Sequence, residues 1–451
     1  MASSTSSSSP SATSLAPLLT AEGWQLLSSL PPYDPEGVLS LGEELRAAGH
    51  SPELVSAALT QQRLRERAAA KFGPFAAQML FTPDGLEQAT RLAVSAHHAA
   101  RYARAGVRRV ADLGCGIGGD AVALAGLDLP VLAVERDEAT AALATVNLMP
   151  FDHAEVLCAD ALGVDLEAHD VDAVFADPAR RAGGRRLNDP EQWSPRLSQV
   201  LALRERVAAL GVKVAPGIDH GLLPADSHVQ WVSVGGEVVE AGIWCGPLAP
   251  EGPGRSALVM SPGPASSGDQ ASHVLTDPEC SDPSVAPAQL DPVIGAEGLG
   301  SLLHEPDGAA IRAGLVAHLA RRLGARPLAP RIAYLTGCAP VPSELRPFVR
   351  SWRVREVLPL HLKVLKARVR AREIGRLEIH RRGVDVSPDA LRASLRPKGS
   401  QGETWVLTRL GAASDRGRGK AASPKGVVLV VEKLEPERGV QALRPGHQAG
   451  A

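Results

Sequence analysis

The sequence is poor in cysteine and in aromatic residues, and it has no long hydrophobic run. Its five cysteines, Cys115, Cys158, Cys245, Cys280 and Cys338, are widely scattered and form no CxxC pair. That spacing argues against a disulfide framework and a zinc site, and it fits reduced thiols in a cytoplasmic chain. Aromatics make up only 3% of the residues, so the cores must rely on Ala, Leu and Val within a hydrophobic content of 44%. No apolar stretch approaches the roughly 18 residues of a membrane helix, so no membrane partner is expected. His97, His98, His153, His220, His361 and His380 show no ligand spacing; they are read as ordinary surface or core histidines, with no metal. Met1–Ser14 is nearly all Ser, Thr, Ala and Pro, without the basic start and apolar stretch of a signal peptide. It is expected to be a disordered tail.

What is present is an uneven charge. The net value of −2 hides a division: residues 311–451 carry 28 Lys and Arg against 11 Asp and Glu, while the preceding residues carry 20 against 39. A basic C-terminal module on an acidic body attracts polyanions through Coulomb forces and counterion release. Docking of the two halves on each other, or a solvated Arg-rich surface, is the plainer alternative. The concentration of charge between Arg346 and Arg382 favours nucleic-acid contact.

At 451 residues the chain should form two or three domains. Residues 20–75 read as helices, one of them starting at Ser51-Pro52. A further helix is expected from Thr82-Pro83, with Thr82 as N-cap, through Leu86, Ala89, Leu92 and Ala93 to a stop at Gly106. The period then changes. Apolar runs at Val110–Leu113, Val131–Val134, Ala154–Cys158, Val171–Phe175 and Val212–Ala215 alternate with helical stretches at 121–125, 139–148 and 195–210. Alternation of this kind builds βαβ units and a mostly parallel, doubly wound sheet. Val229–Val234, Val238–Trp244 and Ala257–Met260 should follow as antiparallel strands on one side. Residues 262–290, rich in Ser, Pro, Gly and Asp, suggest a flexible insertion. Beyond it, Gly308–Leu323 is expected to be helical. Arg331–Leu335, Val354–Leu358, Arg376–His380, Glu403–Arg409 and Gly426–Glu432 are expected strands, with mobile segments at Gly411–Lys425 and after Glu435.

Val110-Ala111-Asp112-Leu113-Gly114-Cys115-Gly116-Ile117-Gly118-Gly119-Asp120 is a strand, a glycine-rich turn and a helix start. Glycine belongs where backbone takes positive φ or approaches a ligand, and a helix N-terminus offers free amides. The turn alone is ambiguous, because Gly114, Gly116 and Gly119 also satisfy the dinucleotide pattern GxGxxG. Asp112, two residues before the first glycine, is placed to receive an ammonium group, where a nicotinamide enzyme usually has a plain apolar residue. Glu135 ends the next strand, where a carboxylate accepts ribose hydroxyls of any nucleoside. Asp160, in Cys158-Ala159-Asp160-Ala161, ends the third strand and is placed for an adenine amino group.

DLGCGIGG, VERD, CADA and FADPARR resemble the ordered motifs of class I S-adenosylmethionine-dependent methyltransferases. The resemblance implies a Rossmann-like sheet and S-adenosylmethionine as cofactor. Asp112, Gly114, Cys115 and Gly116 would hold the methionine part, Glu135 the ribose, and Asp160 with Ala161 the adenine. Asp177-Pro178-Ala179-Arg180 is similar to the (D/N)PP(Y/F/W) motif of enzymes that methylate base nitrogens, which implies catalytic roles for Asp177 and Pro178. Ala179 and Arg180 replace the second proline and the aromatic. A guanidinium stacks on bases or pairs with phosphate, so Arg180 and Arg181 are candidate substrate contacts, and Trp193 is read either as a stacking face or, equally, as packing against the sheet.

Phe81–Gln88 (FTPDGLEQ) resembles the segment before the core of trimethylguanosine-synthase-like enzymes, and Arg372–Leu434, with Arg396-Pro397-Lys398-Gly399, resembles a THUMP-like domain. The expected fold is α/β: a tail at 1–15, an N-terminal helical region at 16–78, a methyltransferase domain at 79–262, and an insertion at 263–290. A connecting α/β region at 291–370, an α+β THUMP-like domain at 371–435 and a tail at 436–451 complete it. The expected function is methylation of structured RNA, tRNA or rRNA, by direct transfer. Methylation of a small molecule or protein, a cofactor-binding RNA module without catalysis, and a dehydrogenase are the rivals.

Overall fold

The computed structural model describes residues 15–182, 185–262, 271–411 and 426–434. Almost all of the tail expected at 1–15, the tail at 436–451 and most of the loop after Gly411 lie outside those residues. The chain divides into two compact units, residues 1–286 and 287–451.

The first unit begins with α1 (Ala21–Ser29), α2 (Val38–Ala47) and α3 (Pro52–Phe72). Ser51 caps α3 by accepting from the Leu54 amide, and Pro52 occupies the first turn, where its missing N–H costs nothing. The apolar face of α3, with Ala58, Leu64, Ala68 and Phe72, lies in the same core as Tyr102, Phe175 and Trp244. The N-terminal helices therefore share one core with the sheet that follows. Gln61 brackets the Phe81 backbone with two hydrogen bonds, of 2.7 and 3.0 Å, and Asn147 does the same at Leu80.

The helix expected from Thr82 to Gly106 is two helices, α4 (Pro83–Gln88) and α5 (Leu92–Ala105). Thr82 caps α4, and Gly106 ends α5 in the left-handed region at φ 67°. Between them the backbone is extended at Ala89 and Arg91. The Lys71 ammonium, from α3, donates to the carbonyls of Leu86, Glu87 and Ala89 at 2.7–2.9 Å. That cation does for these carbonyls what further helical amides would have done.

The sheet contains β1 (Val110–Leu113), β2 (Val131–Glu135), β3 (Ala154–Cys158), β4 (Ala173–Ala176), β5 (Ala209–Val214), β6 (His228–Val234), β7 (Glu237–Cys245), β8 (Gly254–Met260) and β9 (Ser272–Thr276). Helices α6 (Gly119–Ala125), α7 (Glu138–Leu148) and α8 (Leu197–Leu201) connect the parallel strands. The order is β9-β8-β6-β7-β5-β4-β1-β2-β3. Strands β3, β2, β1, β4 and β5 are parallel, and β7 runs against both β5 and β6.

Three expectations are corrected here. Strand β8 is parallel to β6, not antiparallel. The β6–β7 hairpin turns at Gly235-Gly236 and places β7 inside, next to β5, so the chain reaches the outer side of β6 by a crossover. Ser272–Thr276, expected in a flexible insertion, is strand β9, paired antiparallel with β8 through a buried Leu275. The helix expected at 195–210 is also shorter, because β5 already begins at Ala209.

From β1 the chain moves outward to β2 and β3, then returns to β4 on the other flank of β1. The crevice outside the carboxyl ends of β1 and β4 is such a topological switch point, where open α/β sheets bind ligands.

The second unit contains β10 (Leu302–Pro306), α9 (Gly308–Arg312), α10 (Val316–Leu323), β11 (Arg326–Ala329), β12 (Ile332–Gly337) and β13 (Val349–Pro359). Next come α11 (Leu362–Ala371), β14 (Ile374–Arg381), α12 (Pro388–Leu395), β15 (Gln401–Arg409) and β16 (Gly426–Lys433). All seven strands form one sheet, β11-β12-β10-β13-β16-β15-β14, which draws on both sides of residue 371. One core gathers around Tyr334 and Trp352, another around Leu365 and Trp405. Among the described residues, no helix is long and apolar enough to cross a membrane, and no group of three or more His, Cys, Asp or Glu is set to hold a metal ion.

Candidate active site

The carboxyl ends of β1 to β4 open on one cavity of about 1540 Å³. Asp112, Gly114, Cys115, Gly116, Glu135, Asp160, Ala161, Asp177, Pro178 and Arg180 all line it. Gly114, Gly116 and Gly118 have φ of 82°, 56° and 84°, a region that L side chains rarely adopt. A Cβ on Gly114 would also stand 3.3 Å from the Asp177 carbonyl oxygen. The loop is folded back on β2, since the Gly114 and Cys115 amides both donate to the Val134 carbonyl. Glu135 is fixed in turn: it accepts from the Gly116 amide at 3.1 Å and the Asp137 amide at 2.9 Å. Asp160 is exposed at the end of β3, with Oδ1 accepting from the Leu162 amide.

Asp112 is only 1% exposed, and its Oδ2 has no hydrogen-bond partner among the described residues. Burial pushes its carboxyl well above the usual carboxylate range; Asp120 and Asp177 add to that, and Lys213 opposes it. A buried, unanswered carboxylate beside a glycine cradle fits a ligand that brings its own cation.

Asp177 is placed differently. Its side chain is 28% exposed to the cavity and pairs through Oδ2 with the Lys213 ammonium of β5. Burial raises its carboxyl, while Lys213 and Arg180 pull it back. Lys213 also donates to Thr90 Oγ1 at 2.7 Å, and Thr90 donates to Asp120 Oδ2 at 2.9 Å. Asp120 continues to His98 Nδ1 at 3.1 Å, and His98 Nε2 lies 2.7 Å from Glu240. Burial opposes a charge on His98, yet Glu240 and Asp120 raise it to about 9. Burial would likewise raise Asp120, but His98 and Lys213 hold it well below the usual range.

Thr90, Lys213 and Glu240 line the cavity beside Asp120, the end of the expected cofactor loop, and were not expected there. The available signal was a lone charge inside the apolar strand Ala209-Leu210-Gly211-Val212-Lys213-Val214. Trp193 is a correction. It is 3% exposed, it does not line the cavity, and its indole N–H donates to the Leu187 carbonyl at 3.1 Å. Its ring is used in packing because the long, mostly polar segment between β4 and α8 has few other apolar groups to bury. The Arg181 backbone pairs with Arg186, but its side chain lies outside the described residues. The Arg180 Nη1 is buried without a partner among the described residues.

A parallel sheet with a glycine-rich loop at its switch point and a carboxylate ending each neighbouring strand defines an α/β enzyme for a nucleoside cofactor. Comparison with known proteins identifies the cofactor. An uncharacterized S-adenosylmethionine-dependent methyltransferase of Mycobacterium tuberculosis, from strains CDC 1551 and H37Rv, is 36% identical over 381 residues, which covers 82% of this chain and 96% of that protein. The chain belongs to the S-adenosylmethionine-dependent methyltransferase family: it is an enzyme, and its cofactor is S-adenosylmethionine. The crystal structure of a candidate methyltransferase from Porphyromonas gingivalis W83 shares the fold, with a TM-score of 0.62, 20% identity, and coverage of 90% of this chain and 100% of the other. The family model described as THUMP domain-like matches residues 349–423, and a domain family of unknown function matches residues 11–68.

Proposed function

We propose that the enzyme methylates structured RNA, a tRNA or an rRNA, by direct transfer to a positioned base or ribose atom. The observation that carries this reading is the THUMP-like domain at 349–423, set in the strongly basic part of the chain. Such domains present RNA to the modification enzymes they are fused to, and a basic surface attracts phosphates whatever the sequence. A cytoplasmic location belongs to the same reading.

The bound cofactor supplies a methyl group activated by a sulfonium charge. In this reading Asp112 answers the cofactor's ammonium, and the loop Gly114-Cys115-Gly116 lies along its methionine part. Glu135 reaches the ribose through the lone pairs that its two backbone donors leave free, and Asp160 with Ala161 borders the adenine. Asp177 and the Pro178 carbonyl orient the acceptor's N–H or O–H, so that its lone pair faces the methyl group; orientation of this kind supplies much of the rate. Arg180 and Arg181 hold phosphate.

The test is comparative mass spectrometry of nucleosides from tRNA and rRNA of cells with and without the gene. One methylated nucleoside should be missing without it, and should return with the wild-type gene but not with Asp177→Ala. A full set of methylated nucleosides in the deleted strain would remove RNA as the substrate.

A further inference from the structure

Lys213 belongs to no motif, yet it lines the cavity. It is 4% exposed, the fifth residue of a strand whose six residues are all buried. An ammonium in such surroundings persists only where its charge is answered and its hydrogens are bound. Asp177 answers the charge, and Thr90 takes a hydrogen at 2.7 Å. Thr90 is in turn bonded to Asp120, in the first turn of the helix that carries the glycine loop. The lysine thus ties the carboxylate after β4 to the base of the cofactor loop.

We propose that Lys213 is a positioning residue for methyl transfer: it clamps Oδ2 of Asp177, fixes the aim of that side chain, and keeps it an anionic acceptor for the nucleophile's N–H or O–H. The proposal rests on the reading that Asp177 faces the acceptor. In the transfer the methyl–sulfur bond breaks with its electron pair going to sulfur, and the nucleophile's lone pair forms the new bond to carbon. The nucleophile's proton passes to the Asp177 carboxylate and then to solvent. The charged groups facing Asp177 are Lys213, Arg180, Asp112 and Asp120. With Lys213 neutralised, two of the three that remain are carboxyls, and Asp177 takes up a proton of its own. It then has no acceptor capacity for the incoming one.

Lys213→Met and Lys213→Arg test this. Calorimetry with S-adenosylhomocysteine should give affinities within about threefold of wild type for both; should Lys213→Met not bind it, Lys213→Gln takes its place below. Infrared difference spectra at neutral pH, Lys213→Met minus wild type, should show a new protonated-carboxyl band. That band should be missing for Lys213→Arg and vanish in Lys213→Met/Asp177→Asn. Transfer of labelled methyl to total RNA from cells lacking the gene should fall about tenfold or more in Lys213→Met. Its acid limb should move to higher pH, and Lys213→Arg should recover most of the rate. The proposal is overturned by the lack of an Asp177-dependent band, or by an unchanged rate and acid limb in Lys213→Met. If wild-type enzyme labels no RNA, the substrate reading has failed, and the infrared arm alone decides the role of Lys213.

Discussion

Asp112 and Asp177 stand at the carboxyl ends of neighbouring parallel strands, one inside β1 and one just past the end of β4. Both line the same cavity, and burial raises both carboxyls. They differ in what answers them. Asp177 has the Lys213 ammonium, whereas an oxygen of Asp112 is buried without a partner among the described residues. A carboxylate left unanswered is unfavourable until a cation arrives, so it selects a cationic ligand. A carboxylate already neutralised by a lysine does not call for a second cation, and it suits an acceptor whose N–H or O–H is uncharged. On the proposed function, one residue type, a strand apart, thus separates cofactor selection from acceptor orientation.

The contrast can be broken most directly at Asp177. Asp177→Ala should lower methyl transfer about 100-fold or more while leaving S-adenosylhomocysteine affinity nearly unchanged. Loss of cofactor binding instead would erase the division of labour. At Asp112 the pattern should invert. Asp112→Asn should weaken S-adenosylmethionine binding by calorimetry about 10- to 100-fold, the worth of one charge-assisted hydrogen bond. The same change should stabilise the cofactor-free protein. Because the folded carboxyl titrates above its unfolded value of about 3.9, wild type loses stability relative to the variant as pH rises from there through the raised folded value. Melting temperatures of the two proteins against pH should therefore diverge upward from the acid side.

His98 sharpens the comparison from beneath. Its folded value of about 9 lies above the ordinary one of 6.5. Its stabilisation is therefore complete below about pH 6.5 and lost as pH rises through about 9. Thermal melts should show wild type losing on the order of 1–3 kcal/mol across that window, a loss that His98→Gln should not show. The smallest effect is expected away from the cavity, at exposed Lys363 and Arg370 of α11. Reversing both charges should weaken RNA binding a few-fold and flatten its dependence on log salt by roughly 2.

Much of the cofactor half was legible because glycines punctuate it. The limits of β1 and β3 agree with the expected Val110–Leu113 and Ala154–Cys158, and the carboxylates ending β2 and β3 follow from strand position alone. The acceptor half was less legible, because long-range partners decide its chemistry. Lys213 and Thr90 lie 123 residues apart, and nothing local announces their bond. The direction of β8 was missed because an alternating or apolar run carries no sense of polarity. Trp193 was misplaced because an indole in a polar stretch reads equally as a stacking face or as a plug.

The gap between α4 and α5 bears on how this enzyme can be engineered. A helix-favouring residue in place of Thr90, between Ala89 and Arg91 that already favour helix, is an obvious route to a hardier protein, since it would join two short helices into one rod. Lys71 and the extended backbone at Ala89 and Arg91 work against that joining, and Thr90, the link between Lys213 and Asp120, sits inside the gap. A variant with a continuous rod would gain heat resistance and lose turnover, and the damage would begin about 20 residues before Asp112 in the sequence.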